Sequence, residues 1–226
     1  MIDYSGAYRD LRVRVSDLVR AANDTELAMV APATPEWRVR DVLAHMVGVC
    51  DDVSNGNLAG VATDDWTDAQ VVKRRDWSLE EILADWDNNA TRLEVGMNDL
   101  GPAIGQMLAD ASTHEQDIRG ALGAPGGRDA EALVIGVEWG LDVLGQRLAQ
   151  DGLGTLRVEH EDGTSNVGEG DPVTRLQASR FEVGRAMTGR RSRAQMHAMS
   201  WDGPLDPEAL LLAVAIFTPP EHDLVE

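Results

Sequence analysis

Three side chains with metal-binding chemistry recur at helical spacing in the middle of the chain: Asp110, His114 and Asp117. Residues three and four apart share one face of a helix, so these groups would form a single stripe. Apolar neighbours along the same stretch indicate that the stripe points into a helical interior, where an unpaired charge is costly. A bound cation would offset that cost.

A histidine on another predicted helix, His45, offers a further ligand for such a site. His45 alone is more often a core or boundary residue, and Asp110 with His114 alone could be an ion pair along one helix. On facing helices, two imidazoles and one carboxylate leave positions open for water or substrate, a set suited to zinc and tolerable for other divalent ions. Asp117 would then fix the tautomer of His114, or else pair with Arg119.

Residues 189–193 form an arginine-rich segment in an otherwise strongly acidic chain. One interpretation is a solvated helix end, which the helix dipole favours for cations. The other is an anion-binding group, because guanidinium side chains bind carboxylates through two parallel hydrogen bonds. The residues alone favour neither interpretation.

The composition excludes several classes of partner. A net charge of −19 argues against nucleic acid and anionic lipid, because both need a surface rich in Lys and Arg. The single cysteine, Cys50, excludes an internal disulfide framework, and its apolar, acid-edged surroundings indicate a buried side chain rather than a nucleophile. No stretch resembles a signal peptide or a membrane helix. We therefore expect a cytoplasmic protein that binds neither nucleic acid nor a membrane.

The apolar periodicity predicts helices over most of the first 150 residues. Between the second and third helices, residues 55–76 are rich in Gly, Asp and Thr and are interpreted as a loop with some helical content. Such a loop could shape a substrate pocket through residues such as Trp66 and Trp77. The helices are expected at about residues 5–23, 39–53, 78–98, 102–122 and 129–148.

The pattern changes after Gly152, where apolar and polar residues begin to alternate as in a strand. Asp162 and Gly163 are typical of a hairpin turn, and a helix is expected to begin near Pro207 and run through Phe217. A further strand at residues 173–178 and a short helix after Ser179 complete the expected elements. The sequence thus predicts a mainly α protein, with a helical bundle in residues 1–150 and a small α/β domain in residues 151–226.

Two histidine motifs and the C-terminal region resemble a known family. The motifs are EWRVRDVLAH at residues 36–45 and DASTHEQDIRGALG at residues 110–123, and the C-terminal similarity lies in residues 181–192 and 201–203. They resemble the mycothiol-dependent maleylpyruvate isomerase family of actinobacteria, within the DinB-like superfamily. The resemblance spans almost the whole chain.

The resemblance implies a DinB-like four-helix bundle that holds a divalent metal, usually zinc, followed by a small α/β C-terminal domain. It implies that His45, Asp110 and His114 are the metal ligands, although the characterised isomerase carries Glu where this chain has Asp110. The resemblance also implies that Arg190 is the catalytic arginine, with Arg191 as the other choice.

The activity implied by the resemblance uses mycothiol, a low-molecular-weight thiol, as cosubstrate. A thiol at the open metal position loses its proton, and its thiolate attacks a small electrophile such as maleylpyruvate. The outcome would be isomerisation or S-conjugation, with the arginine holding a substrate carboxylate. The alternative is a non-catalytic metal or small-molecule binding protein of the same fold. A metal-independent helical interaction module, with His114 only ion-paired, is a third interpretation.

Overall fold

Helices occupy most of the computed structural model, which describes residues 2–226 apart from the side chains of residues 102–103. The contacts divide the chain into two units. The first unit runs to Ala132 and includes Glu226, and the second unit is Leu133–Val225. The first unit is largely helical, whereas the second combines a sheet with helices. The protein is therefore mainly α with a small C-terminal α/β part, which confirms the predicted fold class.

Local capping explains where the helices of the first unit begin and end. Ser78 and Glu81 exchange hydrogen bonds as a capping box, which satisfies free amides at a helix start. Gly123 ends another helix with a φ of 59°, a conformation that glycine adopts without strain. The elements are α1 (Tyr4–Ala21), α2 (Asp24–Leu27), β1 (Val30–Ala31), β2 (Thr34–Arg38), α3 (Val39–Asn55), α4 (Asp64–Arg74), α5 (Leu79–Leu100), a 3₁₀ helix (Gly101–Ile104) and α6 (Gly105–Leu122).

The long helices α1, α3, α5 and α6 form a bundle in which α1 and α3 each contact both α5 and α6. Their apolar stripes meet in one core, and the largest fully buried side chains there include Leu11, Leu43, Trp86, Leu108 and Ile118. Burying one Leu or Ile side chain contributes roughly 1.5–3 kcal/mol. The predicted stripes therefore bury one another and hold α3 against α6.

A buried carboxylate also ties α6 to α1. Glu115 is 1% exposed. Its oxygens accept hydrogen bonds at 3.0 and 2.8 Å from Arg14 on α1, and one of them also accepts at 3.0 Å from Arg119 on α6. Two cationic partners offset the cost of burying this charge. The position of α6 along the bundle is thus set by polar as well as apolar contacts.

Helix α4 lies within the segment that the sequence pattern favoured as a loop with some helical content. Thr63 caps its start by accepting a hydrogen bond from the Trp66 amide at 3.4 Å. Two of its buried side chains, Gln70 and Arg74, are polar, so the helix has little apolar periodicity. Because periodicity detects only apolar faces, a helix held by buried polar contacts was underestimated.

The second unit contains a four-stranded sheet in the order β4-β3-β5-β6. Strands β3 and β5 are parallel, and the other pairs are antiparallel. The pairing of β3 with β4 confirms the predicted hairpin turn at Asp162 and Gly163. The elements are α7 (Glu131–Asp151), β3 (Thr155–His160), β4 (Gly163–Val167), β5 (Pro172–Gln177), α8 (Arg180–Met187), α9 (Arg193–Ala198), β6 (Ser200–Asp202) and a 3₁₀ helix (Pro207–Val214).

Most of helix α7 packs into the core of the second unit. Leu144 and Leu148 of α7 belong to the same buried cluster as Leu156 of β3 and Leu176 of β5. The contacts divide the chain after Ala132, whereas the change to strand-like alternation after Gly152 had suggested a boundary after residue 150. Periodicity showed that α7 is amphipathic, but it does not indicate which partner covers an apolar stripe.

The last predicted helix is a 3₁₀ helix, and it ends at Val214 rather than continuing through Phe217. Pro207 occupies its first turn as predicted, and Asp206 accepts a hydrogen bond from the Glu208 amide at 2.8 Å. Residues three apart share a face in both α and 3₁₀ helices. Leucine spacing alone therefore could not distinguish the two.

Cys50 is a buried free thiol, as its apolar neighbours in the sequence predicted. Burial is the main cause that raises the pKa of this thiol to about 11. It therefore stays protonated near neutral pH, unlike a nucleophilic cysteine. Within residues 2–226, no helix combines the length and apolar character needed to cross a bilayer.

A buried hydrogen bond between α1 and α5 provides a test of this packing. The Trp86 indole donates to the Tyr8 hydroxyl at 2.8 Å, and both side chains are almost fully buried. Tyr8→Phe leaves the indole N–H without this acceptor and is expected to lower the free energy of unfolding by about 1–3 kcal/mol, measured by urea denaturation. Tyr4→Phe, the same change on the same helix, should lower it less. Equal losses in both variants would contradict the contribution assigned to this hydrogen bond.

Candidate metal centre

His45, Asp110 and His114 meet between two packed helices of the first unit. His45 lies on α3, while Asp110 and His114 lie one turn apart on α6. The Asp110 Oδ1 atom is 3.5 Å from Nε2 of each imidazole. The two imidazole centroids are 4.8 Å apart. The structure thus brings together the three residues that the sequence suggested as metal ligands.

The donor set and its burial fit a divalent cation. His45 and His114 are 4% and 6% exposed. The Asp110 Oδ2 atom is buried and has no hydrogen-bond partner among the residues that the structure describes. A buried carboxylate oxygen without a partner is costly, and a cation would satisfy it. The three potential ligand atoms lie within 4.8 Å of one another, and two imidazoles with one carboxylate suit zinc and related ions.

Each imidazole makes a hydrogen bond on the side away from Asp110. His114 Nδ1 lies 3.0 Å from Oδ2 of Asp117, which is 1% exposed. His45 Nδ1 lies 2.8 Å from Oε1 of Gln70 on α4. The structure thus places Asp117 where the sequence suggested an acceptor for His114. Gln70 was not identified, because it lies in the segment that the sequence pattern favoured as a loop.

The charges of the centre shift the pKa values of two of its members. Burial disfavours the charged form of Asp110, but attraction to both imidazoles outweighs it and holds the pKa of this carboxyl well below its usual value. Burial also disfavours the protonated form of His114, but Asp110 and Asp117 outweigh it and raise the pKa of this imidazole. Metal ions bind unprotonated imidazole, so a proton and a metal ion would compete for His114.

Trp37 lies against both imidazoles, a contact that the sequence pattern did not reveal. Its ring centroid is 5.0 Å from that of His45 and 5.9 Å from that of His114. Trp37 lies on β2, which pairs with β1 just before α3, in a stretch where the sequence analysis predicted no strand. The sequence did hold a clue to this contact, since Trp37 belongs to the same motif as His45.

Trp66 and Trp77, which the sequence suggested as pocket residues, have other contacts. The Trp66 indole donates to a backbone carbonyl before α4, and Trp77 contacts an arginine of α4.

The arginine-rich segment begins with two buried guanidinium groups in the second unit. Arg190 and Arg191 are 4% and 3% exposed, which contradicts the interpretation of these residues as a solvated helix end. Arg191 donates to both carboxylate oxygens of Glu182, at 2.6 and 2.9 Å. Arg190 donates to the Thr188 carbonyl at 2.6 Å, and its guanidinium carbon lies 4.9 Å from the centroid of the Phe217 ring.

The second unit also contains an exposed group of one imidazole and two carboxylates: His197, Asp206 and Glu208. His197 Nε2 lies 4.0 Å from Asp206, and Glu208 binds Arg193. Exposed groups of this kind are common without an ion. We assign it no role. It differs from the centre of the first unit, whose two imidazoles are buried.

A family model matches residues 8–124, just over half of the chain. The model describes the mycothiol maleylpyruvate isomerase N-terminal domain, and the matched range contains His45, Asp110 and His114. The chain therefore belongs to this family, and the resemblance noted in the sequence is confirmed. No curated protein matches the chain.

Two solved structures share the fold. They are crystal structures of the mycothiol-dependent maleylpyruvate isomerase and of a histidine-to-alanine mutant of it, with TM-scores of 0.54 and 0.57. Each is 12% identical to this chain, and each alignment covers 89% of this chain and 93% of the other. At this level of identity the likeness shows a common fold.

The raised pKa of His114 predicts how the stability of the metal-free protein depends on pH. The pKa of His114 is higher in the folded state than the value of about 6.5 expected in the unfolded state, so its protonation stabilises the fold. This stabilisation is complete below about pH 6.5 and is lost as the pH rises through the folded-state pKa. The lowered pKa of Asp110 makes stability depend on pH only near and below about pH 3.9, outside this range. We therefore expect the Tm of chelator-treated protein to fall as pH is raised from about 6.5 to 9.

Two histidine variants test whether His114 causes this fall. His114→Gln removes the titrating group and should flatten the dependence of Tm on pH. His197→Gln alters an exposed imidazole of the second unit and should leave the dependence unchanged. A wild-type Tm that stays constant or rises over this range would contradict the shift assigned to His114.

Proposed function

We propose that this protein is a divalent-metal-dependent enzyme that activates mycothiol for isomerisation of a small electrophile such as maleylpyruvate. S-conjugation of a similar electrophile is the other reaction that the same thiolate could perform. The observation that carries the proposal is the buried Oδ2 atom of Asp110, which has no hydrogen-bond partner in the described chain and belongs to a carboxylate beside two imidazoles. Zinc is the ion that we assign, because this donor set suits it.

His45, Asp110 and His114 would hold the ion. The side chain of Asp110 is 34% exposed, whereas those of His45 and His114 are 5% and 7% exposed. An external thiol would therefore reach the centre past the Asp110 carboxylate. When bound, a divalent cation lowers the pKa of a coordinating thiol, so that the thiol is ionised near neutral pH.

The proposed isomerisation needs no oxidant or reductant. The thiolate sulfur bonds to one carbon of the cis double bond, and the electron pair of that bond moves onto the conjugated carbonyl oxygen. Rotation about the resulting single bond follows. The electron pair then returns, the carbon–sulfur bond breaks, and the thiolate leaves the trans product. In conjugation the carbon–sulfur bond is kept, and a proton is taken up or a leaving group departs.

Two further side chains have proposed roles. Arg190 would bind the substrate carboxylate and stabilise negative charge that develops on the carbonyl oxygen. Arg190 is the residue that the family resemblance favours for this role, and Arg191 is the other choice. Asp117 would accept the Nδ1 proton of His114 and so fix the tautomer of that ligand.

Family membership supports the choice of thiol and reaction. The matching family model is named for mycothiol and maleylpyruvate, and so are the two crystal structures that share the fold. A cytoplasmic location is also part of the proposal. It is supported by the one cysteine of the chain, a buried free thiol of the kind that is usual in reducing compartments.

The metal content of the purified protein tests the centre directly. Protein prepared without chelator is expected to contain about one divalent ion per chain, because the three side chains would form a single site. Elemental analysis should find this ion lost in both His45→Ala and His114→Ala. His197→Ala changes the exposed group of the second unit and should keep it. A wild-type protein without metal, and whose Tm does not rise with added zinc, would contradict the centre, since ligand binding to the folded state must raise stability.

Thiol-dependent turnover tests the enzymatic part of the proposal. The metal-loaded protein with mycothiol is expected to convert maleylpyruvate into its trans isomer, and omission of the thiol should abolish the reaction. Arg190→Gln should lower kcat by about 10²-fold or more, as the loss of one group that stabilises developing charge usually does. Arg193→Gln, an exposed neighbour, should have no effect. Tight metal binding without turnover of any tested electrophile would support the alternative, a non-catalytic metal-binding protein.

A further inference from the structure

Gln70 connects His45 to a carboxylate outside the candidate metal centre. Gln70 lies on α4 and is 3% exposed. Its Oε1 atom is 2.8 Å from His45 Nδ1, and its Nε2 atom donates to Asp52 Oδ2 at 2.6 Å. A continuous chain of hydrogen bonds therefore runs from Asp52 through the amide to the imidazole nitrogen that faces away from Asp110.

The chemistry of these groups sets the direction of each hydrogen bond. An ionised carboxylate can only accept, so the amide nitrogen of Gln70 must face Asp52 and its oxygen must face His45. His45 Nδ1 is then the donor and carries the proton. In a neutral imidazole this leaves the lone pair on Nε2, the atom that lies 3.5 Å from Asp110 Oδ1.

We propose that Gln70 is a positioning residue, which holds His45 in the Nδ1–H tautomer and thereby presents Nε2 as a metal ligand. This inference rests on the proposed function, because it takes the metal centre as given. It extends the centre to α4, a helix that contributes none of the three ligands. Groups that orient metal-bound histidines change metal affinity by about 10–100-fold when they are removed.

Two features of the structure hold Gln70 in place. A Cβ atom at Gly48 of α3 would lie 2.3 Å from the Cβ atom of Gln70, so only glycine permits this approach of α4 to α3. Arg74, one turn after Gln70, is buried and binds one carboxylate of α3 and one of α5, at 2.9 and 2.6 Å. It also donates to the Gln70 carbonyl at 3.3 Å. Gln70 is therefore held in place through both its backbone and its side chain.

The two imidazoles of the centre have acceptors of different charge. His114 has the carboxylate of Asp117 at 3.0 Å, whereas His45 has the neutral amide of Gln70 at 2.8 Å. Gln70 therefore orients its imidazole without placing another negative charge directly beside the centre. The charged group of Asp52 lies beyond the amide and accepts a hydrogen bond from its nitrogen at 2.6 Å.

Three variants of the full-length protein test the role of Gln70. Gln70→Ala removes the acceptor of His45. Gln70→Glu combined with Asp52→Asn keeps an acceptor for His45 but reverses the direction of the second hydrogen bond. Asp52 Oδ1 already accepts from Asn57 at 2.7 Å, so an amide at position 52 can keep its oxygen there and turn its nitrogen towards position 70. Val71→Ala is the matched control, since it truncates a buried neighbour on α4 and leaves the hydrogen-bond chain intact.

Two measurements distinguish a role of Gln70 in orienting His45 from a role in packing α4 alone. Nitrogen-15 NMR of the metal-free protein, recorded above the pH at which its imidazole signals stop changing, reports the tautomer of His45. Competition with a chromophoric chelator reports the Kd for zinc. The wild type should show the Nδ1–H tautomer, and Gln70→Ala should lose it and bind zinc about 10–100-fold more weakly. The double variant should recover the tautomer and most of the affinity, while Val71→Ala should retain both.

Several results would overturn the role of Gln70. These are an Nε2–H tautomer in the wild type, or a Gln70→Ala protein whose tautomer and zinc affinity are unchanged. Equal weakening in Gln70→Ala, Val71→Ala and the double variant would also overturn it, because helix packing alone would then matter. Failure of the proposed function is a separate result: the wild type would bind no zinc, whereas the NMR data on metal-free protein would still confirm or overturn the tautomer of His45.

Discussion

The placement of a carboxylate beside two buried imidazoles is the constraint on which the surroundings of the candidate centre depend. Each of these groups would be costly in an apolar bundle without a partner, and each imidazole has one on its outer side. For His45 that partner comes from α4, and α4 is itself held by a buried arginine between carboxylates of α3 and α5. A connected polar network thus determines how these helices are placed, in addition to their apolar contacts.

Helical spacing was sufficient to predict which residues of α6 share a face, because the periodicity of a helix is set by the backbone. The ends of the longer helices are set by local capping groups in the same way, as Ser78 and Gly123 show. Helical spacing does not predict the contact between α3 and α6, because these helices are far apart in the sequence. Its prediction rested on the chemistry of the residues and on the family resemblance, both of which required His45 to face Asp110 and His114.

The features that the sequence did not reveal depend on polar burial or on the identity of a distant partner. Gln70 is buried through hydrogen bonds, so no apolar pattern marks it. The burial of Arg191 depends on Glu182, nine residues earlier in the chain, and the residues alone favoured neither a solvated helix end nor an anion-binding group. Helix α7 has a clear apolar stripe, yet only the folded protein shows that this stripe packs on the sheet of the second unit.

The position of Trp37 has a consequence for how the centre can be observed. Its indole ring lies within 6 Å of both imidazole centroids, at 5.0 and 5.9 Å. At such distances a cation interacts appreciably with the π-electrons of a tryptophan ring. A proton or a metal ion gained by the imidazoles would place a positive charge near this indole, so we expect its absorption and fluorescence to report the charge state of the centre without a label.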